Sequence, residues 1–150
     1  VDIDQRLDLI ESRFAILELT ARYCHGADGR DAEVFRSVWH PDAVWDVSSR
    51  RFVGRAAISE AVEHQWRSFE SMHHSTSNSV VEFSSDTSAT GRHDVLALTT
   101  LLDGRCLLSA GRHVDRYIRS GGVWAIAERR ASVTSSVEIA SSAGSSIAGQ

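Results

Sequence analysis

The sequence has no lysine, one proline, one methionine and only two cysteines among 150 residues. Cys24 and Cys106 are too few and too far apart for a disulfide framework or a zinc motif. Both stand among apolar neighbours and read as small core residues without an activating partner. The seven histidines lack ligand spacing, so no metal is expected. No apolar run approaches the roughly 18 residues of a membrane span. The N-terminus lacks a charged-then-apolar leader pattern, which makes a cytoplasmic protein the expectation. All 16 basic residues are arginines, scattered along the chain, and the net charge is −4. That balance points to neither a nucleic acid nor an anionic membrane as partner.

What is present is an ordinary globular composition, 42% hydrophobic and 24% charged, in a chain long enough for one real core. Ile3, Leu7, Ile10, Phe14, Leu17, Ala21 and Cys24 follow one another in alternating steps of four and three. This spacing predicts a helix over about 4–27 with one buried stripe, and the next position in the series is Asp28. "DAEVFRSVW" (31–39) reads as a second helix capped by Asp31, with Val34, Phe35 and Val38 inward. "HPDAVWDV" turns at Pro41 into a strand, and "RRFVG" is its hairpin partner. A third helix is expected over 54–71, with Ile58 and Val62 inward. From residue 72 the period becomes two, in four stretches (72–84, 90–102, 105–119, 122–137) split by turn sequences, "LDGR" the clearest. The fold class is α+β, with three helices on one face of a strongly curved, mostly antiparallel sheet. The expected domain is 1–137, followed by a loose tail over 138–150.

Several polar residues fall where a buried face is expected. On the strand "MHHSTSNSVVEF", alternation groups His74 with Thr76, Asn78 and Val80, and His73 with the opposite face. On the last strand, Arg129 shares a face with Val123, Ala125, Ala127, Ala131 and Val133. On the strand before it, His113, Asp115 and Tyr117 share one side. A buried carboxylate is costly unless paired, and an imidazole is a natural partner for Asp28. An aspartate holding a histidine fixes its tautomer and stabilises the imidazolium formed when the ring takes a proton. By periodicity alone Asp28 fits an exposed turn past Gly26 better than a buried site. His74 and Arg129 likewise have solvated readings, and Tyr23 fits plain core packing.

The order of elements resembles the SnoaL-like branch of the nuclear transport factor 2 superfamily. The likeness rests on "AILELTARYCHGADGRD", "SVWHPDAVWDV", "FVGRAAISEAV", "HHSTSN" and "GRHVDRYIRSGGVWAIAERR", over roughly residues 6 to 137. In style it is similar to scytalone dehydratase, the bile-acid 7α-dehydratases and γ-hexachlorocyclohexane dehydrochlorinase. The resemblance implies a cone-shaped α+β barrel and a cofactor-free lyase, a dehydratase acting on a small hydrophobic cyclic or aromatic hydroxylated compound. It implies His74 as general base held by Asp28, with Arg129 and Tyr23 assisting a leaving group or oxyanion. Trp39, Trp45 and Asn78 are expected to line the substrate pocket. The alternatives are an isomerase, elimination of halide or another group, or a ligand-binding module without catalysis. A homo-oligomer is expected, a trimer before a dimer, with Ser132, Thr134 and Ser136 suited to a subunit interface.

Overall fold

The computed structural model describes residues 2–139. Asp2 opens α1 (Ile3–Asp28) with a capping box: its carboxylate accepts from the Gln5 amide, and the Gln5 side chain accepts from the Asp2 N–H. Asp31 caps α2 (Ala32–Ser37) by accepting from the Val34 amide, the role expected of it. β1 (Trp39–Val47) and β2 (Arg50–Val53) form a hairpin whose turn residues, Ser48 and Ser49, both take left-handed φ values of 51° and 62°. α3 (Arg55–Ser68) follows, then β3 (Phe69–Phe83), β4 (Ser88–Leu101), β5 (Cys106–Ser120) and β6 (Val123–Ile139). Each expected element is present within a few residues. The last strand runs past 137 to Ile139, and the rest of the expected tail lies outside the described residues.

The strands make one curved, unclosed sheet in the order β2-β1-β6-β5-β4-β3. Only the β1–β6 pairing is parallel; β3 to β6 are a continuous antiparallel meander. Tyr23, Phe35, Trp39 and Trp45 bring α1, α2 and β1 together, with ring centroids 5.2 to 6.3 Å apart. Burying an aromatic or large aliphatic side chain contributes about 1.5–3 kcal/mol, and this cluster anchors the helical layer. Gly26 allows the approach of α2, because a Cβ there would stand 2.5 Å from the Phe35 backbone nitrogen.

The structure corrects the expected faces in three places. The α1 face turned to the core carries Ser12, Ile16, Leu19, Thr20, Tyr23 and Ala27, whereas Ile3, Leu7, Ile10 and Phe14 are 50–70% exposed. Two hydroxyl residues on the buried face and large apolar residues on the open one made hydrophobicity a misleading guide. In β3 the register slips between Ser77 and Val80, with Asn78 at φ 50°. Met72, His74 and Thr76 are therefore partly covered, but beyond the bulge the inward positions become Val81 and Phe83, and Val80 is exposed. In β6 a second slip, opposite Arg116 and Tyr117, switches the buried set from Trp124 and Ile126 to Ala127 and Arg129. Period-two reading fails at each bulge because one extra residue reverses the faces.

The hydroxyls of Ser132 and Thr134 donate to the Arg112 and Ala110 carbonyls, and Ser136 meets Ser109 at 2.9 Å. These expected interface groups already have partners within the sheet.

Candidate active site

The C-terminal end of α1 is tied to β3 and α3 by backbone-directed bonds. Gly29 caps the helix, its N–H donating to the His25 carbonyl at 2.9 Å. Arg30, at φ 54°, sends its guanidinium to the carbonyls of Phe69 (2.9 Å) and Glu70 (2.8 Å) at the start of β3. The Trp66 indole of α3 donates to the Ala27 carbonyl at 2.7 Å. Asp28, the last helical residue, is thereby held against the middle of β3.

There it meets His74 twice. Asp28 Oδ1 lies 2.6 Å from the ring Nδ1, and Oδ2 accepts the His74 backbone N–H at 2.7 Å. Both side chains are mostly covered, 16% and 17% exposed. An ionised carboxylate only accepts, so Nδ1 carries the proton and Nε2 is the ring nitrogen left to take one. Asp28 thus lies within the fold rather than in an exposed turn.

His74 lines a cavity of about 710 Å³, within the usual range for small-molecule sites. Tyr23, Trp45, Val95, Ala97, His113 and Val133 share its wall, and the β1–β2 hairpin adds Ser48, Ser49 and Arg50. Tyr23 stands edge-on to both His74 and His113, at 6.4 and 5.4 Å between ring centroids. Burial pushes its phenol well above the ordinary range, so Tyr23 presents an intact O–H. Burial likewise raises the Cys24 thiol to about 11, which keeps it an inert thiol.

Three other expected site residues lie elsewhere. Trp39 packs behind Tyr23 and Trp45 and does not line the cavity. Asn78 occupies the β3 bulge and donates to Asp94 at 2.9 Å among exposed groups. Arg129 is fully buried and stacks beneath Tyr23, its guanidinium carbon 4.3 Å from the ring centroid. Its Nε and Nη2 bind Asp115 at 2.9 and 2.6 Å, while Nη1 has no partner among the described residues. The Tyr117 hydroxyl donates to the same carboxylate at 2.6 Å, and His93 Nε2 stands 2.8 Å from that hydroxyl. Since Tyr117 has spent its proton on Asp115, His93 Nε2 donates to it, and Nδ1 shares a hydrogen bond with the Ser79 hydroxyl at 2.8 Å. Burial lowers the His93 pKa and favours the neutral ring.

His113, which the period-two reading set beside Asp115 and Tyr117, also faces inward, and its buried Nδ1 is unpartnered among the described residues. Burial, then the Arg129 charge, holds its pKa well below 6.5. Both His93 and His113 are thus neutral when folded and free to protonate at about 6.5 when unfolded. The unfolded chain binds more protons below that pH, so stability falls as pH drops from 7 toward 5. The slope approaches about 1.4 kcal/mol per pH unit for His113, the more strongly shifted of the two, and His93 adds a smaller part. Thermal melts across this range are expected to show a falling midpoint, with a shallower fall in His113→Phe.

Among cavity residues, Gln65, Val95, Ala97, Ser109 and Gly111 were not singled out from sequence. They are small or neutral, and nothing in their local pattern separates a cavity wall from a packed core.

Residues 8–130 match the model of the SnoaL-like domain. The chain belongs to the SnoaL-like family. A curated member, γ-hexachlorocyclohexane dehydrochlorinase of Sphingobium indicum, is 32% identical over 128 residues, covering 83% of this chain and 82% of that protein. Among solved structures, a type 2 hexachlorocyclohexane dehydrochlorinase (LinA) superposes with a TM-score of 0.89 at 25% identity, over 95% of this chain and 99% of the other. The LinA-type3 enzyme of Novosphingobium barchaimii gives 0.86 at 27% identity, over 91% and 95%. The SnoaL-like fold of this chain is thus shared along almost its full length with enzymes named for an elimination. Among its described residues, no helix is long and apolar enough to cross a membrane.

Proposed function

We propose that this SnoaL-like protein is a lyase that eliminates a small leaving group from a hydrophobic ring compound. The observation that carries this reading is the Asp28–His74 pair in the wall of a cavity of mixed polar and apolar lining. His74 Nε2 takes a proton from a ring carbon, and the C–H electron pair becomes the new C=C bond. The leaving group departs from the neighbouring carbon with its own bonding pair. Asp28 stabilises the imidazolium so formed, and the Tyr23 O–H assists a departing hydroxyl. General-base assistance accounts for about 10²–10⁴ in rate, and the remainder comes from orientation within the cavity. Arg129 acts through Tyr23, whose ring it supports from below. With hydroxyl as the leaving group the enzyme is a dehydratase. The dehydrochlorination named for its curated relatives favours a second reading, with chloride leaving and no proton needed for it.

The test incubates wild type and His74→Ala with hydroxylated and chlorinated cyclic compounds in deuterium oxide, followed by mass spectrometry. Loss of water or of hydrogen chloride in the wild type alone is the expected result and identifies the leaving group. Deuterium exchange at constant mass would replace elimination with isomerisation. Equal binding by both proteins without exchange or product would leave only a ligand-binding module.

A further inference from the structure

His113 is a second imidazole in the cavity wall, with no part in the proton removal assigned to His74. It lies on β5 directly opposite His93 in the strand register, and the two are buried alike, at 5% and 0% exposed. Their surroundings differ. His93 has each ring nitrogen 2.8 Å from a hydroxyl, that of Ser79 or that of Tyr117. His113 lines the cavity, and no hydrogen bond reaches either of its ring nitrogens among the described residues. Buried polar groups are satisfied as a rule, so an unpaired imidazole facing a cavity marks a place for a ligand atom.

The chemistry of that atom follows from the ring. Nδ1 is the enclosed nitrogen, which leaves Nε2 toward the cavity. Enclosing an N–H without an acceptor costs more than enclosing a lone pair, so the single ring proton belongs on Nε2. The ring stays neutral, because burial and the Arg129 charge both oppose a second proton. His113 therefore offers the cavity one N–H and no acceptor, and a neutral imidazole N–H is a competent donor to a carbonyl oxygen. The wall beside it, formed by Val95, Gly111, Ala131 and Val133, has no side-chain acceptor either. A hydroxyl set against Nε2 would bring a proton that this wall cannot accept, whereas a carbonyl brings only lone pairs. His113 and His74 both meet the Tyr23 ring edge-on, at 5.4 and 6.4 Å between centroids. Donor and base thus flank one space.

We propose that His113 selects the substrate, its Nε2–H donating to a carbonyl oxygen carried by the ring compound that His74 deprotonates. The inference rests on the reading of this cavity as a lyase site, and it holds whether a hydroxyl or chloride departs, because the leaving group is assigned to Tyr23. The substrate class is then a cyclic ketone bearing a leaving group, in place of a purely halogenated hydrocarbon ring. A halogenated hydrocarbon leaves the His113 N–H without a good acceptor in a wall closed to water. Sites built around a hydrogen bond reject ligands that lack its partner, because the buried group is then stranded.

Cyclohexanone and chlorocyclohexane, rings of similar size carrying C=O or C–Cl, are the probes. Each is titrated into the full chain with ¹⁵N-labelled histidines, followed by nuclear magnetic resonance. Cyclohexanone should move the His113 Nε2 resonance saturably. Chlorocyclohexane should leave that resonance in place and bind about tenfold more weakly. His113→Phe should bind the two probes alike with unchanged circular dichroism, and His113→Asn, which keeps an N–H donor, should regain part of the preference. Equal affinity of the wild type for both probes would overturn the proposal, as would a His113 resonance unmoved at saturation with cyclohexanone; neither needs a variant to fold. So would a ketone preference that persists in His113→Phe. His74→Ala should keep the ketone preference while losing turnover, which separates this subsite from the base. A protein that prefers cyclohexanone through His113 yet eliminates nothing from any ring would keep the carbonyl subsite and remove the lyase reading alone.

Discussion

Asp28→Asn is expected to abolish elimination almost as completely as His74→Ala, by about 10²–10⁴-fold, with the fold intact. Asp28 receives two N–H groups, one from the His74 backbone at 2.7 Å and one from the ring at 2.6 Å. Asparagine has one acceptor and one donor for the same two places. If its oxygen keeps the backbone N–H, its amide faces Nδ1 as a donor, and the ring proton moves to Nε2. The nitrogen that should remove a proton from substrate is then already protonated. Reversing the amide instead sets two donors against each other at His74 N. The check is steady-state kinetics on the substrate identified by the exchange experiment, beside melting curves for both variants. A large fall in turnover with little change in melting temperature is the expected pattern; near-normal turnover in either variant would rule out the dyad as the source of the base.

Asp115→Ala should cost about 3–5 kcal/mol of stability, the largest stability effect expected of any single substitution here. Arg129 and Asp115 are both fully enclosed, and the carboxylate is the only ion-pair partner that the guanidinium has among the described residues. Removing Asp115 strands a buried cation that already has one unpartnered nitrogen, Nη1. It also leaves the Tyr117 hydroxyl without its acceptor, which disturbs the bond to His93. Removing both charges behaves differently, because the cost of taking two ions out of water disappears with them. Arg129→Met with Asp115→Leu should therefore be considerably more stable than Asp115→Ala. The midpoint of urea unfolding reads each difference. If Asp115→Ala unfolds at the wild-type midpoint, the carboxylate is not what makes the buried Arg129 charge tolerable.

These two predictions draw on different parts of what the sequence discloses. Helix and strand order, the Asp31 cap, the β1–β2 hairpin and the four-strand meander were all legible, because turns and periods are local properties of a few adjacent residues. The pairing of Asp28 with His74 was legible only through the family resemblance, since local chemistry offered a carboxylate in need of a partner without saying which imidazole would meet it. Its geometry needed Arg30 to clamp the helix end to the carbonyls of Phe69 and Glu70, a contact across about 40 positions that no local pattern encodes.

Tertiary structure alone decided the facing of side chains. The bulges at Asn78 and Ala127 reverse the strand faces, sending Asn78 out to Asp94 and sealing Arg129 beneath Tyr23. Which side of α1 meets the sheet was likewise decided by packing. The body selects Ser12, Ile16, Thr20, Tyr23 and Ala27, where small and hydroxyl groups permit close approach, and leaves Ile3 to Phe14 open. Local composition determines which elements form. Orientation depends on the shape and polarity of what lies across the interface, brought there by residues far away in the chain.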